Sequence, residues 1–368
     1  MKRIQKPLIF CLLTVMICSL IAPTASAAPE NSARAAVLYQ PDTGIFLYEK
    51  NGNARMKMAS TTKIMTALVA IENAPLDRVL TVPPEAAGTE GSSLYLSAGD
   101  KGTLESFLYA LLLASANDAA ATIAINLAGS IEAFADMMNE RAASLGLKDT
   151  HFENPHGLDD AEHYTSAHDL ALIAAEAMKK PTFSSIVSQK RKTIKLNDGE
   201  TIRSFENHNR LLSLFPGAVG VKTGFTKASG RCLVSAAVRD GVSLIAVTLD
   251  CPDDWNTHKK MLENGFTAFA YTKLASARTV AFTLPVIGGK TSSVLISNPS
   301  DVYAVLPENA AVETRFDTVR MPSAPIKKGT PLGKVSFLLD GKVIAESPLI
   351  AENAVENITP RKRFFHLF

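Results

Sequence analysis

Ser60 and Lys63 lie three residues apart in the stretch MKMASTTKIM that begins at Met56, and this spacing could support nucleophilic chemistry. On a helix, residues at positions i and i+3 share a face, so the Ser60 hydroxyl and the Lys63 amine can touch. A serine hydroxyl becomes a good nucleophile when a neighbouring base accepts its proton, and an unprotonated lysine can be that base. The same pattern also fits a helix cap at Ser60 with a solvated Lys63, because serine is favoured at helix starts.

The base role makes a demand on the pKa of Lys63. To act near neutral pH, that pKa must fall from about 10.4 to about 7, which corresponds to roughly 4 kcal/mol. Burial or a second nearby cation lowers a lysine pKa in this way. Downstream of Lys63, apolar residues recur with helical spacing, and no Pro or Gly interrupts before Pro75. We therefore expect a helix that starts at or just before Ser60 and ends near Pro75.

A second polar group, Ser115-Ala116-Asn117, interrupts two apolar helical segments. A break inside a buried helical hairpin can aim a hydroxyl and an amide into a cleft without disrupting a helix. Ser and Asn are also frequent helix caps, so a capping role is the alternative. The apolar run around this break is not expected to span a membrane, because Asp118 lies in its middle and charge at a bilayer centre is costly.

A third group, Lys222-Thr223-Gly224, lies on a β-rich run directly after Pro216-Gly217. Such a strand can present a cation and a hydroxyl to a substrate, while a glycine permits close backbone approach. An exposed strand end is the alternative interpretation. The backbone N–H groups of Ser60, at a helix start, and of Phe225, on the strand, are candidate donors for an oxyanion hole.

The elements that must position these groups follow from the apolar periodicity. The predicted helices after the Ser60 helix span residues 104–114, 117–128, 131–145, 169–178 and 259–274. The predicted strands span residues 35–39, 45–48, 190–195, 217–223, 232–238 and 242–249, with strands returning from Phe183 onward and loops at 80–102 and 151–168. This order predicts an α+β fold, with a helical cluster inserted between the first and last strands of one antiparallel sheet.

The composition changes after Arg278, where helix signals vanish and short β-rich runs alternate with Pro and Gly. The clearest run, at 334–346, predicts a hairpin on the Asp340-Gly341 turn. We therefore expect a small all-β domain at about 279–352. The remaining cysteines after residue 27, Cys232 and Cys251, flank another predicted hairpin slightly out of register, which favours two free buried thiols over a disulfide.

Taken together, the three motifs resemble those of the penicillin-recognising serine peptidases, which carry Ser-x-x-Lys, Ser-x-Asn and Lys-Thr-Gly in this order on a helix, a loop and a strand. More narrowly, the chain is similar to the low-molecular-mass penicillin-binding proteins that are D-alanyl-D-alanine carboxypeptidases. The similarity covers about residues 30–350. Further matching segments are FENPHGL at 152–158, TSAHDLA at 165–171, NHNRLL at 207–212, KKMLENGF at 259–266, and the glycine-containing hairpin of the terminal β domain.

The resemblance implies a β-lactamase/transpeptidase-like domain at 28–278, followed by the β-rich domain at 279–352. It implies a serine D-Ala-D-Ala carboxypeptidase that acts on peptidoglycan stem peptides, is inhibited by β-lactam antibiotics and needs no cofactor or metal. The implied residue roles are as follows: Ser60 is acylated, Lys63 is its base, Ser115 relays the proton to the leaving D-alanine, Asn117 holds the substrate amide, Lys222 keeps the site positive and lowers the pKa of Lys63, and Thr223 binds the terminal carboxylate beside Gly224.

One departure from the family concerns the arginine that some members place after the second sheet strand to hold the substrate carboxylate. The comparable stretch here, 250–256, is acidic rather than basic. Arg231 and Lys227 are the candidates that could replace it, and the sequence does not choose between them.

Three other enzyme classes are weighed against this interpretation. Four histidines (His151, His156, His163 and His168) lie within eighteen residues and could suggest a zinc D,D-peptidase, but their spacing fits neither one helix face nor a tight ligand pair.

A β-lactamase shares the three motifs, yet neither Glu153 nor Glu162 has the Glu-x-x-x-Asn spacing of the deacylating loop of class A enzymes. D,D-endopeptidase activity on peptidoglycan crosslinks is a closer alternative. The non-enzyme alternative, a wall-binding scaffold, predicts a broken motif, and all three are intact.

The first 27 residues predict an export signal, because a basic start precedes an apolar run and the small residues Ala25-Ser26-Ala27. Removing them takes away three of the 38 basic residues and none of the 36 acidic ones, so the charge becomes 35 − 36 = −1. That balance gives no case for a nucleic-acid partner. We expect an exported protein at the outer face of the cell membrane or in the wall. The basic and aromatic tail at 353–368 could contact an anionic membrane surface, or fray.

Overall fold

The computed structural model describes residues 31–358. The predicted signal peptide and the last ten residues of the predicted tail lie outside this range. Eight α-helices occur in the described residues: α1 Lys63–Asn73, α2 Leu104–Leu113, α3 Asn117–Ala128, α4 Ile131–Ser144, α5 Ala167–Met178, α6 Pro181–Val187, α7 Leu211–Leu214 and α8 Asp254–Ala268. A 3₁₀ turn, Ala59–Thr62, leads directly into α1.

Sixteen strands occur in the same residues, and they form two five-stranded sheets and three short two-stranded ladders. They are β1 Ala35–Gln40, β2 Ile45–Lys50, β3 Val79–Thr81, β4 Lys101–Thr103, β5 Arg191–Leu196, β6 Thr201–Glu206, β7 Ala218–Thr226, β8 Gly230–Arg239, β9 Val242–Leu249, β10 Phe269–Ala275, β11 Ala281–Pro285, β12 Ser293–Ser297, β13 Val302–Pro307, β14 Glu313–Thr318, β15 Pro331–Leu339 and β16 Lys342–Ala351.

The first five-stranded sheet has the order β2-β1-β9-β8-β7 and is antiparallel throughout. Its first two strands come from the start of the chain, and helices α1–α7 intervene before β7. The predicted α+β fold with an inserted helical cluster is therefore confirmed. The hairpin predicted between Cys232 and Cys251 is formed by β8 and β9. The Asp240-Gly241 turn joins them: both residues take a positive φ, and Arg239 pairs with Val242.

Both faces of the sheet are buried, so successive residues of a strand point alternately into two different cores. Val37, on one face of β1, packs in a large core with α1–α5, whereas Leu38, on the other face, packs in a second core with Met261 and Leu262 of α8. Because successive strand residues point to opposite faces, a sheet covered on both sides reads as a nearly continuous apolar run.

The helix starts have local causes in the sequence. Thr103, Ser130 and Ser166 each cap a helix by accepting a hydrogen bond from the backbone N–H three residues later. Such caps satisfy N–H groups that have no partner inside the helix. The break between α2 and α3 falls at Ser115-Ala116, as the sequence predicts. No helix in residues 31–358 is both long and apolar enough to cross a membrane.

Two predicted elements are wrong. The helix predicted at 259–274 ends at Ala268, and residues 269–275 form strand β10, which pairs with β13 of the C-terminal part. Residues 181–187 form helix α6 where we expected strands to return. In both places the local pattern is short and ambiguous. Pairing with a strand about thirty residues away decides the first, and Pro181 at the first helical position favours the second.

The C-terminal part is all β, as predicted. Its sheet has the order β11-β12-β16-β15-β14, and the Asp340-Gly341 turn joins β15 to β16 with Leu339 opposite Lys342. The two cysteines of the described chain, Cys232 and Cys251, are free and buried, in agreement with the prediction.

Candidate active site

Ser60 lies in the 3₁₀ turn rather than in the helix itself, and the backbone around it is constrained. Ala59, immediately before it, adopts a φ of +47°, in the left-handed region that non-glycine residues rarely occupy. The turn leads into α1, so Lys63 begins the α-helix. The Ser60 hydroxyl oxygen and the Lys63 amine nitrogen are 2.9 Å apart. The structure therefore brings the two residues into contact, as their spacing predicts.

The Lys63 amine has two other close partners, and these fix its orientation. The side-chain oxygen of Asn117 and the backbone oxygen of His156 each lie 2.6 Å from Nζ. Neither oxygen has a proton to give, so both accept hydrogen bonds from Lys63. A neutral amine has two N–H groups and one lone pair. When the N–H groups point at these two oxygens, the lone pair points at the hydroxyl of Ser60.

The environment of Lys63 also favours the neutral amine. Its side chain is fully buried. Burial, first, and the positive charge of Lys222, second, hold the pKa of Lys63 well below its ordinary value, while Asp118 opposes this shift. Burial lowers a lysine pKa because the charged form loses its hydration. The shift is in the direction that a general base at neutral pH needs.

The α2–α3 break supplies Ser115 and Asn117, both nearly buried. Ser115 adopts a φ of +61°, a strained conformation for a serine, and it lines the same cleft as Ser60. Asn117 donates to the backbone oxygen of Glu90, so its own oxygen faces Lys63. The break is thus held in a conformation that a continuous helix would not allow.

Asp118 has a structural role that the sequence does not reveal. It is fully buried, and its carboxylate accepts hydrogen bonds from the Ser93 hydroxyl and from the backbone N–H groups of Leu94 and Leu96. These bonds tie the loop before α2 to the start of α3. An acidic residue after a helix break is only a weak signal in the sequence.

Strand β7 passes directly beside the Ser60 turn and carries Lys222, Thr223 and Gly224. Burial lowers the pKa of Lys222 to about 7, and its amine donates to the backbone oxygen of Thr223 at 2.9 Å. A β-carbon added to Gly224 would lie 3.0 Å from the backbone nitrogen of Ser60. The backbone that approaches Gly224 closely is therefore that of the turn that holds Ser60. Phe225 follows with its ring largely exposed.

Replacing Gly224 with alanine is expected to lower the rate of Ser60 acylation about tenfold, because the neighbouring backbone must shift by a few tenths of an ångström and a displacement of 1 Å at reacting groups costs about 100-fold. The added methyl would push against Met58, Ser60 and Thr61, all within 3.1 Å of it. The acylation rate with a fluorescent penicillin measures the effect. Gly146→Ala is the control for loss of a glycine away from the site: its φ of +73° adds backbone strain, but nothing lies within 4 Å of the added methyl. If Gly224→Ala is acylated as fast as the unaltered protein, strand β7 does not position Ser60 in the way described.

The loop at 153–166 holds the Ser60 turn from the other side, and sequence reasoning missed this. Burial lowers the pKa of His163 to about 4, so its ring is neutral at pH 7. The ring accepts from the N–H of Glu153 through Nδ1, and Nε2 therefore donates to the hydroxyl of Thr62 at 2.8 Å. That hydroxyl donates in turn to the backbone oxygen of Ala59.

Gly157 of the same loop lies against the same oxygen. A β-carbon there would lie 2.0 Å from the Ala59 oxygen, and Gly157 has a φ of +89°. Only glycine fits both conditions. The signal that could have indicated this contact is the segment at 152–158, which contains Gly157 and resembles the corresponding segment of the family.

The other histidines of the cluster also have partners inside the fold. His151 bonds the backbone oxygen of Glu162, and His168 stacks on Phe46 with ring centres 4.1 Å apart. Burial lowers the pKa of His156 to about 3, and its Nδ1 accepts from the N–H of Leu158. Among residues 31–358, no three His, Cys, Asp or Glu side chains are grouped so that they could hold a metal ion.

A cleft of about 320 Å³ opens over these groups and is mostly polar. It is lined by Ser60, Ser92, Ser115, His208, Thr223, Gly224, Phe225, Arg231, Cys232, Asp254 and Trp255. Lys63 and Lys222 lie beneath this surface, nearly without exposure. The cleft therefore joins a nucleophile, a buried amine next to it, and a polar floor on strand β7.

Arg231, on β8, is the guanidinium of this cleft. Its Nε and Nη2 donate to the two carboxylate oxygens of Asp254 at 3.1 and 2.9 Å, and it lies over the ring of Trp255. Lys227, the other candidate for the substrate carboxylate, is exposed and does not line the cleft. The acidic stretch after β9 thus fixes an arginine that comes from the neighbouring strand.

Sequence comparison identifies the family. The profile described as D-alanyl-D-alanine carboxypeptidase matches residues 22–253, more than half of the chain. The chain belongs to the D-alanyl-D-alanine carboxypeptidase family. A second profile, described as the C-terminal domain of penicillin-binding protein 5, matches residues 269–357.

Curated relatives in this family match along nearly their whole length. D-alanyl-D-alanine carboxypeptidase DacF of Bacillus subtilis is 32% identical over 96% of this chain and 94% of its own. DacC of Escherichia coli, of the same description, is 32% identical over 92% of this chain and 89% of its own.

Solved structures of the family have the same fold. Penicillin-binding protein 5 of Haemophilus influenzae aligns with a TM-score of 0.66 and 29% identity over 89% of this chain and 99% of its own. The Streptomyces K15 DD-transpeptidase aligns with a TM-score of 0.62 and 34% identity, over 65% of this chain and 98% of its own.

Proposed function

We propose that this protein is a serine-type D-Ala-D-Ala carboxypeptidase that removes the terminal D-alanine from peptidoglycan stem peptides. The observation that carries the proposal is the buried Lys63 amine, 2.9 Å from the Ser60 hydroxyl and held by two oxygens that accept its protons. Family membership and the matched relatives support the same substrate.

The reaction has two steps that conserve atoms and protons. Ser60 Oγ attacks the carbonyl carbon of the penultimate D-alanine while its proton passes to Lys63. The C–N bond then breaks, the leaving D-alanine amine takes up that proton through Ser115, and an ester with Ser60 remains. Water then attacks the ester carbon while Lys63 accepts a proton from it. The ester C–O bond breaks, Lys63 returns that proton to Ser60 Oγ, and the shortened peptide leaves with its new carboxyl group. A β-lactam follows the first step and leaves a slowly hydrolysed ester.

The remaining groups bind and polarise the substrate. The backbone N–H groups of Ser60 and Phe225 stabilise the oxyanion, because donors aimed at the developing charge act mainly in the transition state. Asn117 holds the substrate amide with its second N–H. Thr223 and the open edge at Gly224 contact the end of the peptide.

Arg231 is the cation that recognises the substrate's terminal carboxylate, with Asp254 and Trp255 holding its guanidinium. Lys222 is less suited, because it is buried beneath the cleft surface and its amine donates to the backbone oxygen of Thr223. Arginine stays charged and presents donors in a planar fork that fits a carboxylate.

Replacing Arg231 with glutamine is expected to lower kcat/KM for a peptide ending in D-Ala-D-Ala by 10- to 100-fold, in line with about 1.5–3 kcal/mol for a hydrogen bond to a charged group. The loss should arise mainly in KM. A peptide with an amidated C-terminus should show no such loss, since it offers no carboxylate. Lys227→Gln tests the rival cation. A loss in Lys227→Gln with none in Arg231→Gln would exchange the two assignments.

Replacing Lys222 with methionine is expected to move the acid limb of the acylation pH profile to higher pH. The charge of Lys222 lowers the pKa of Lys63. When that charge is removed, the pKa of Lys63 rises, and a smaller fraction of Lys63 is neutral at a given pH. Penicillin acylation rates between pH 5 and 9 measure the limb, with Lys227→Met as the surface control. A limb that moves to lower pH would contradict the electrostatic coupling.

D-alanine release distinguishes the proposed activity from its alternatives. We expect rapid release from a short peptide ending in D-Ala-D-Ala and slower cleavage of a crosslinked dimer. The reverse order would favour the D,D-endopeptidase. Rapid recovery from penicillin would favour a β-lactamase, and absence of both release and penicillin labelling would favour a wall-binding scaffold.

The site of action follows from the substrate. We propose that residues 1–27 direct export and that the enzyme acts at the outer face of the cell membrane or in the wall, where peptidoglycan lies. The domain limits at 28–278 and 279–352 stay predictions, and β10 crosses that boundary by pairing with β13. Membrane contact through the tail at 353–368 also stays a prediction.

A further inference from the structure

A second cleft, of about 390 Å³, lies between the β5–β6 hairpin and the segment 207–214. Lys190, Arg191, Asn209 and Arg210 are among the residues that line it. It has no part in the chemistry proposed for Ser60. Its lining nevertheless combines positive charge with a buried amide, which is a combination suited to an anion.

Asn209 is the buried amide of this cleft, and its residue is only 2% exposed. Its oxygen accepts from the backbone N–H of Leu211 at 3.1 Å, and its backbone N–H donates to the side-chain oxygen of Asn207. The N–H of Leu211 needs an acceptor, so the amide orientation is fixed by its neighbours. The remaining group, Nδ2, has no hydrogen-bond partner within residues 31–358.

The charge of the cleft is positive. Arg191 is paired with Glu206 across the β5–β6 ladder. Lys190 and Arg210 form no ion pair within the described part of the chain, which leaves two cations beside an amide donor that lacks an acceptor. A carboxylate would satisfy the amide and both cations, since charge-assisted hydrogen bonds are among the strongest in proteins.

The second cleft adjoins the Ser60 cleft through one segment of chain. His208 lines the Ser60 cleft, whereas Asn207, Asn209 and Arg210 line the second cleft. Neighbouring residues of the segment 207–210 therefore line two different clefts. A peptide in the first cleft can follow this segment into the second.

We propose that the second cleft binds a carboxylate of an acidic stem peptide whose D-Ala-D-Ala end occupies the Ser60 cleft, with Asn209, Lys190 and Arg210 as its partners. This rests on the proposed function. The cleft would select among substrates by the acidic groups that lie upstream of the cleaved bond.

The test compares two peptides that both end in D-Ala-D-Ala, one neutral and one with acidic side chains upstream. In the unaltered protein, kcat/KM for the acidic peptide should exceed that for the neutral peptide. We expect this preference to fall about tenfold in the double variant Lys190→Gln, Arg210→Gln, through KM, and to decrease with added salt. The matched control is Lys195→Gln, an exposed lysine of strand β5 that does not line the cleft.

A second variant tests the amide itself. Asn209→Asp keeps the oxygen that accepts from Leu211 but replaces the donor with a negative charge, so it should reduce the preference at least as strongly. Thermal unfolding of each variant shows whether the fold is retained, and the double surface variant serves if Asn209→Asp does not fold.

The outcomes separate this proposal from the proposed function. If the unaltered protein releases D-alanine from both peptides and the preference is the same in the double variant, the second cleft is not a substrate subsite. Binding of inorganic phosphate by the unaltered protein without a change in preference would likewise overturn the peptide assignment. If neither peptide is cleaved, the proposed function itself fails.

Discussion

Replacing Ser60 with alanine is expected to abolish covalent labelling by a fluorescent penicillin and to lower D-alanine release by 10⁴-fold or more, an order typical for loss of a catalytic nucleophile. The substitution removes the oxygen that forms the ester in the proposed mechanism. It leaves the 3₁₀ turn with its other bonds, because within residues 31–358 the Ser60 hydroxyl forms a hydrogen bond only with Lys63. Labelling detected on a gel and D-alanine release both measure the effect.

The matched control for this variant is Ser97→Ala, an exposed loop serine. It should label and turn over as the unaltered protein does. Labelling that persists in Ser60→Ala would assign the acylated residue elsewhere in the cleft, to Ser115 or Ser92, and would overturn the proposed mechanism. Unfolding temperatures should agree among the three proteins.

Replacing Lys63 with glutamine is expected to lower the acylation rate by about 10³-fold, within the range attributed to general bases. Glutamine can still donate to Asn117 and to the backbone oxygen of His156, but it cannot accept a proton at neutral pH. Lys63→Arg sharpens the test, since arginine keeps the positive charge and is not deprotonated in proteins. If charge alone were needed, Lys63→Arg would retain activity; if a base is needed, both variants lose it.

Loss of Lys63 is not expected to destabilise the fold through lost charge, because its buried amine is disfavoured in the charged form. Lys57→Gln is the control. This partly exposed lysine lies before the 3₁₀ turn, and its amine is 3.9 Å from a carboxylate oxygen of Asp159. An acylation rate in Lys63→Gln within tenfold of the unaltered protein would rule out Lys63 as the base.

The helices and strands that the sequence predicts well are those with strong local signals. Thr103 caps α2, the polar break separates α2 from α3, and the Asp240-Gly241 and Asp340-Gly341 turns set two hairpins. In each case residues close in sequence determine the conformation. The predictions for residues 269–274 and 181–187 were wrong because these short segments have no such signal. Strand β10 forms by pairing with β13, a contact that the local sequence does not indicate.

The contacts of the candidate site also fall into two groups: those that local sequence predicts and those that only tertiary packing creates. The i, i+3 spacing on its own put the Ser60 hydroxyl within reach of the Lys63 amine, since helical geometry depends on local backbone alone. The order of the three motifs indicated which other residues should join them. No local rule could show that Gly157 presses on Ala59, that His163 reaches Thr62, or that Asp118 fastens the loop at 93–96.

The sequence by itself thus determined which groups this protein has available for chemistry, because spacing and turn residues act over a few positions. Only the tertiary structure decided their state: burial and Lys222 lower the pKa of Lys63, and two fixed oxygens aim its lone pair at Ser60. It also decided that Arg231, held by Asp254, stands in the cleft. Desolvation and orientation depend on contacts between distant segments, and these exist only once the sheet and the helical cluster have packed together.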